Sequence, residues 1–210
     1  PGKVGDYLYD EMSMGTERFV RKVEKYTRDK VETPFDFELE LCGFKLWGRL
    51  SDIYAPGYVH MRYAKRKAKD LLKLWFHHLI YCSLKPEEFP ENSFLVCKDR
   101  IEKFNRPSNP RKIVATLLDL YLQGLTEPIH FFPETSLVYV KQVQNEKNTR
   151  QKALSGARFR WDGGGYDNNP AENKDFYYQR CFEYMDPIDA KFEDIAKQVY
   201  QPLLAHLEEV

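Results

Sequence analysis

Between Phe35 and Leu41 the chain alternates without a break. Phe35, Phe37, Leu39 and Leu41 are apolar, and Asp36, Glu38 and Glu40 between them are acidic. A period of two predicts a strand with one buried and one wet face. Cys42-Gly43 supplies a turn, 44–54 predicts the antiparallel return strand, and Ala55-Pro56-Gly57 turns the chain into a third strand over 58–63. Upstream, Phe19, Val20, Val23 and Tyr26 recur at helical spacing behind Thr16-Glu17, a cap with an acid in the first turn, and Pro34 stops the helix. Downstream, Leu71, Leu72, Trp75, Leu79 and Cys82 mark the broad apolar face of a helix over about 67–83. Phe94 to Cys97 is short and apolar, a fourth strand.

The second half changes period. Asn109-Pro110 caps and opens a helix in which Ile113, Val114, Leu117, Leu118, Tyr121 and Leu122 repeat at helical spacing up to Gly124. Another helix is predicted over 136–156, and Asp162 to Pro170, with three consecutive glycines, reads as a loop. Asp186-Pro187 opens a last helix with Ile188, Phe192, Ile195, Ala196, Val199 and Leu203 inward and Pro202 bending its end. The fold class expected is α+β. A helix, a three-stranded meander, a helix and a further short strand make a restriction-endonuclease-like PD-(D/E)xK core, followed by a mostly helical C-terminal half. Length favours a single domain over 1–210, and the start at Pro1-Gly2-Lys3 is expected of a C-terminal fragment of a longer subunit.

Composition narrows the function classes. Lys plus Arg equals Asp plus Glu at 32 each, so any nucleic-acid surface must be a local patch. Aromatics at 15% suit a packed body and argue against disorder. Cys42, Cys82, Cys97 and Cys181 form no C-x-x-C pair, and reduced, mostly buried thiols in a cytoplasmic protein are expected rather than a zinc site or disulfides. No apolar run approaches the ~20 residues of a membrane span. There is no P-loop lysine and no Ser-His-Asp or Cys-His set, so ATP hydrolysis belongs elsewhere in any assembly.

A PD-(D/E)xK core cuts DNA with an Asp after the Gly of the second strand, an acid on the third strand and a Lys two residues beyond it. The carboxylates hold Mg²⁺, which wants hard oxygen ligands, and the metal activates the attacking water. Here the G-x-x-D position is Ser51, with Asp52 one residue late, and the acid-x-Lys positions map onto His60 and Arg62. A one-residue offset on a strand turns a side chain to the other face, so Asp52 serves only if a bulge shifts the register. The reading is a nuclease fold with no catalytic residue and no metal site. The alternative is an active, degenerate Mg²⁺-dependent nuclease in which Asp52 and another carboxylate migrate into the site.

Arg62, Lys65, Arg66, Lys67, Lys69 and Lys73 fall in twelve residues with a single acid, Asp70. They are candidates for phosphate contacts, against the plainer reading of a solvated linker. Cations at a helix start oppose its dipole, so local stability does not account for them. His77 and His78 are adjacent on a helix and cannot share a metal, so one packs and one is exposed. Trp47, Tyr63 and Trp75 are expected in the core rather than stacked on bases.

Gly48 to Asp52, Leu71 to Cys82, Leu117 to Gly124, Ala157 to Arg160, Tyr178 to Arg180 and Gln201 to Leu204, taken in order, resemble the C-terminal domain of the exodeoxyribonuclease V gamma subunit, RecC. The resemblance runs from about residue 35 to 206. It implies an inactive nuclease-like domain that engages DNA and docks the other subunits of the RecBCD helicase–nuclease in double-strand break repair by recombination. Mg²⁺ and ATP would then be used by partner subunits, with no cofactor in this domain, and the family has no catalytic residue to transfer.

Overall fold

A computed structural model describes residues 2–28, 34–84, 91–164 and 170–210. The chain is α+β, with seven α-helices and two sheets among the described residues. It divides into two compact units. One holds Pro1–Arg111 with His206–Val210, and the other Lys112–Ala205.

In the first unit, Phe19, Val23 and Tyr26 do share an apolar face, but their helix α1 starts far earlier and runs Lys3–Thr27. Thr16 is not a cap. It sits inside the helix and donates its hydroxyl to the Met12 carbonyl at 2.9 Å, as helical Thr does when no free helix end is near.

The hairpin of β1 (Phe35–Leu41) and β2 (Phe44–Leu50) forms as the alternation predicts, turning on Cys42 and Gly43, both at positive φ (52° and 78°). Two left-handed residues match the twist of a tight hairpin. The wet face carries Asp36 bound by Arg49 at 2.6 and 2.9 Å and Glu38 bound by Lys45 at 2.8 Å. Trp47 lies opposite Glu38 on that face and is 79% exposed, against the expectation of a core position.

The three-stranded meander is split between sheets. After β2 the strand breaks at Ser51-Asp52 and resumes as β3 (Ile53–Tyr54) in a second sheet. Asp52 has φ 66°, a left-handed conformation that ends a strand and that Asp tolerates better than most residues. The second sheet has the order β3, β4 (Gly57–Arg62), β5 (Ser93–Cys97), β6 (Ile101–Phe104), β7 (Leu207–Glu209). β4 and β5 are parallel, joined through helix α2 (Ala68–Leu84), and the other pairs are antiparallel.

Strand alternation decides what each helix covers. Tyr54, Val59, Phe94 and Val96 pack with Phe19, Val23 and Tyr26 of α1. The opposite set, Ser93 and Phe104 among them, meets α2 through the buried Trp75 and His78. Of the adjacent histidines, His78 is buried and His77 half-buried, so His77 is less free than predicted. Cys82 and Cys97 are buried, but Cys42 at the hairpin turn and Cys181 are exposed.

His78 sets a pH limit on this unit. Its Nε2–H donates to the Asn105 carbonyl (3.2 Å), leaving Nδ1 to accept from the Ser93 hydroxyl at 2.8 Å. Burial pushes its pKa down to about 4. The unfolded chain therefore binds a proton that the folded chain refuses, and stability is full above the ordinary histidine pKa and lost as pH falls toward 4. We expect a loss of about 2 kcal/mol between neutrality and about pH 5. Urea midpoints of the wild type and His78→Gln at the two pH values check this, the variant showing the flatter dependence.

The second unit is helical. α3 (Pro110–Thr126) opens at the predicted proline; Val114 and Leu118 are buried as expected, while Tyr121 and Leu122 are exposed. The predicted helix over 136–156 is two, α4 (Pro133–Gln144) and α5 (Arg150–Trp161). The break falls in a polar stretch where Thr149 caps α5 by accepting from the Lys152 amide at 3.2 Å. A 3-10 turn at Glu172–Lys174 and the short α6 (Phe176–Cys181) follow; residues 165–169 of the predicted loop lie outside the described residues. α7 (Ala190–Ala205) starts later than Asp186 because Asp189 caps it, accepting from the Phe192 amide at 3.0 Å. Five of the six residues predicted inward lie on α7 and are buried, and the sixth, Ile188, is buried just ahead of it. Buried Glu193 ties three helices together, accepting from Tyr139 of α4 at 2.5 Å and from Arg150 of α5.

Candidate nucleic-acid interface

The strand β4 and the helix α2 build the candidate site between them. Tyr58, His60 and Arg62 alternate onto the α2 face of the strand, and Asp70, Lys73 and His77 recur at i, i+3, i+7 along one stripe of the helix. The two rows run in opposite directions. At one end Arg62 Nη1 lies 2.5 Å from both carboxylate oxygens of Asp70. At the other the rings of Tyr58 and His77 stack at 5.7 Å. His60 stands between, in the field of Lys73.

Each position that the sequence maps onto the motif has a defined place. Ser51 is exposed and donates to Asp52 at 3.2 Å. Asp52 stands at the left-handed kink that ends β2 and acts electrostatically on Tyr58 and His60. The second acid in reach is already committed. Asp70 is buried, accepts from Arg62, and accepts from the Lys67 amide at 2.9 Å as half of a helix-capping arrangement. These residues do not fit Mg²⁺, since a guanidinium occupies the carboxylate and the third position is an imidazole. Among the described residues no group of three or more His, Cys, Asp or Glu side chains is arranged to hold a metal ion.

The basic segment divides by burial. Lys65, Lys69 and Lys73 are exposed, the last two one helical turn apart. Arg62 is closed on Asp70. The Arg66 side chain is 11% exposed, 3.7 Å from Glu102, and its amide donates to Asp99 at 2.9 Å. Lys67 is half-buried at the start of α2. Two of the predicted phosphate contacts, Arg62 and Arg66, are thus turned to carboxylates of the fold, because each reaches a buried acid that needs a counter-charge. Tyr63, at the end of β4, is exposed, packs on Phe19 at 5.2 Å and carries Lys98 over its ring at 5.1 Å.

Two members of the site go beyond the sequence expectations: Asp70 as the partner of Arg62, and His77, stacked on Tyr58. The signal was present in the 70, 73, 77 spacing facing 62, 60, 58.

Burial holds the pKa of His60 below its ordinary value, with Lys73 adding to the effect and Asp70 and Asp52 opposing it. His77 is lowered by burial and by Lys73, against the hydrogen bond to the Lys73 carbonyl. Cys97, paired with Arg62 across β4 and β5, is pushed up to about 12 by burial.

The family described as "RecC C-terminal domain" matches residues 1–144, a region that includes α1, β4 and α2. The RecBCD enzyme subunit RecC of Buchnera aphidicola subsp. Acyrthosiphon pisum is 25% identical over 170 residues, 76% of this chain and 15% of that protein. Its counterpart in Buchnera aphidicola subsp. Schizaphis graminum is 23% identical over 216 residues, 98% of this chain and 20% of that protein. That of Mycolicibacterium smegmatis is 28% identical over 136 residues, 60% of this chain and 12% of that protein. The chain spans a fifth or less of the length of these relatives.

Proposed function

Since the chain belongs to the RecC C-terminal domain family, we propose that it is a non-catalytic, nuclease-like domain that engages DNA and docks partner subunits within a RecBCD helicase–nuclease. Its process would be the recombinational repair of double-strand breaks in the cytoplasm. The observation that carries the non-catalytic part is the Arg62–Asp70 pair, which spends the carboxylate nearest the acid-x-Lys positions on an internal cation. Mg²⁺ and ATP would act in partner subunits.

DNA contact is supported by the row Lys65, Lys69 and Lys73 on the exposed side of the same strand–helix pair. Such a patch would bind phosphates weakly, without reading bases, and with a steep salt dependence. Docking is supported by the first half of α1, where Val4, Tyr7, Leu8 and Met12 are exposed on a helix whose later turns are packed.

Two measurements test this reading. Incubation with linear DNA and Mg²⁺ or Mn²⁺ is expected to leave the DNA intact; cleavage abolished by Asp52→Ala would reverse the assignment. Replacing Lys65, Lys69 and Lys73 together by Ala should flatten the slope of log K against log salt by about two to three units on duplex. An unchanged slope would return the row to solvent.

A further inference from the structure

The ladder between β4 and α2 has satisfied ends and an unsatisfied middle. Arg62 and Asp70 neutralise each other at one end, and Tyr58 and His77 stack at the other. In the middle, half-buried His60 and exposed Lys73 are two basic groups set against each other. The charged and titratable groups acting on His60 are Asp70, Lys73 and His77 from α2 and Asp52 from the kink; Tyr58 and Arg62 flank it on the same face of its own strand, and Cys97 pairs with Arg62 on β5. While both imidazoles are neutral, Lys73 and Arg62 balance Asp52 and Asp70. Two further protons leave two positive charges with no carboxylate to match them, because Asp70 is already held by Arg62 and by the Lys67 amide.

His77 has a defined tautomer. Its Nδ1 lies 2.8 Å from the Lys73 carbonyl, and a carbonyl only accepts, so Nδ1 carries the proton and Nε2 remains for a second partner. Protonation turns that nitrogen into a donor.

We propose that His60, Lys73 and His77 form a pH-gated cradle for a phosphate group of a nucleic-acid strand. The proposal rests on the DNA-engaging reading above and assigns to it a contact point and a regulator. A phosphate oxygen takes charge-assisted hydrogen bonds from the Lys73 ammonium and from each imidazolium. Burial and Lys73 hold both imidazole pKa values below the ordinary histidine value in the free protein, and a bound anion acts against that penalty. The sign follows: binding raises the two depressed pKa values, so affinity rises as pH falls through the raised values and levels off below the free ones.

The first test follows the histidine ring protons of the wild-type chain by NMR across the acid-to-neutral range, with and without inorganic phosphate at constant ionic strength. Phosphate is expected to move the midpoints of His60 and His77 upward by about half a pH unit or more while leaving His78 in place. An equal displacement of all histidines, or none, overturns the cradle. This arm needs no variant, so a folding defect cannot obscure it.

The second test measures a single-stranded oligonucleotide by fluorescence anisotropy at about pH 6 and about pH 7.5. Affinity is expected to rise at least about fivefold on acidification. The rise should vanish in the His60→Gln/His77→Gln double variant and persist, on a weaker baseline, in Lys65→Ala. Oligonucleotide binding that is the same at both pH values, without a phosphate effect, removes the cradle and leaves the DNA-engaging reading standing. Phosphate-dependent midpoints without oligonucleotide binding keep the cradle as an anion site and remove the DNA-engaging reading.

Discussion

Gly57→Ala is expected to destabilise the first unit by about 3 kcal/mol or more, near the top of what single substitutions do. Gly57 opens β4 at φ 143°, a conformation that L side chains rarely adopt, and an added Cβ would lie 2.1 Å from the Asn92 carbonyl oxygen and 2.9 Å from its carbon. That neighbour is backbone and has no rotamer to escape into. It is also the acceptor of the Tyr58 amide at 3.2 Å, at the point where β4 meets β5. The clash therefore forces apart the two strands that place Tyr58, His60 and Arg62. Gly43→Ala is the control: φ is 78° there, but a Cβ meets nothing within 4 Å, so only about 1 kcal/mol of conformational strain is expected. Urea midpoints rank the three proteins, and a Gly57→Ala chain as stable as wild type would show that the β3–β4 turn tolerates a different path.

Breaking the Arg62–Asp70 pair should have the next largest effect. Asp70 is 6% exposed, and the Arg62 side chain is 30% exposed, so the pair sits at the margin of the core. Arg62→Ala strands a buried carboxylate and is expected to cost about 2–3 kcal/mol, somewhat less than breaking a fully buried pair because water reaches the guanidinium. Asp70→Ala should cost somewhat more, since it also removes the acceptor of the Lys67 amide at the start of α2. The double replacement Arg62→Leu/Asp70→Leu should recover part of the loss, because neither charge is then left unpaired. A double-mutant cycle with Ala at both positions gives the coupling directly. Single variants within about 0.5 kcal/mol of wild type would mean that solvent already screens the pair.

How legible the fold was depended on how local its cause is. The hairpin of β1 and β2 follows from seven alternating residues and a two-residue turn, and the buried face of α7 from helical spacing. The split of the meander hangs on the backbone of Asp52 alone, and no period in the flanking strands announces a change of sheet. Thr16 has the chemistry of a cap, but Val4 to Met14 continue the helix behind it, so a residue able to cap does not do so here. The candidate site shows the same division. Ser51, His60 and Arg62 could be placed by offset from a motif. The pairing of Arg62 with Asp70, and of Arg66 with Glu102 on a strand that the sequence did not reveal, needs the tertiary fold to bring the partners together.

The position of β7 sets an order of events for folding. β6 ends at Phe104 and its partner begins at Leu207, so roughly a hundred residues separate two neighbouring strands. Closing a loop of that length carries an entropy cost that a three-residue strand repays poorly by itself. The intervening helices shorten the effective loop once they form, so β7 is expected to join last. The free edge of β6 then stays open to solvent through most of folding, and it is the edge of this sheet where amide hydrogen exchange should report the first local opening of the finished protein.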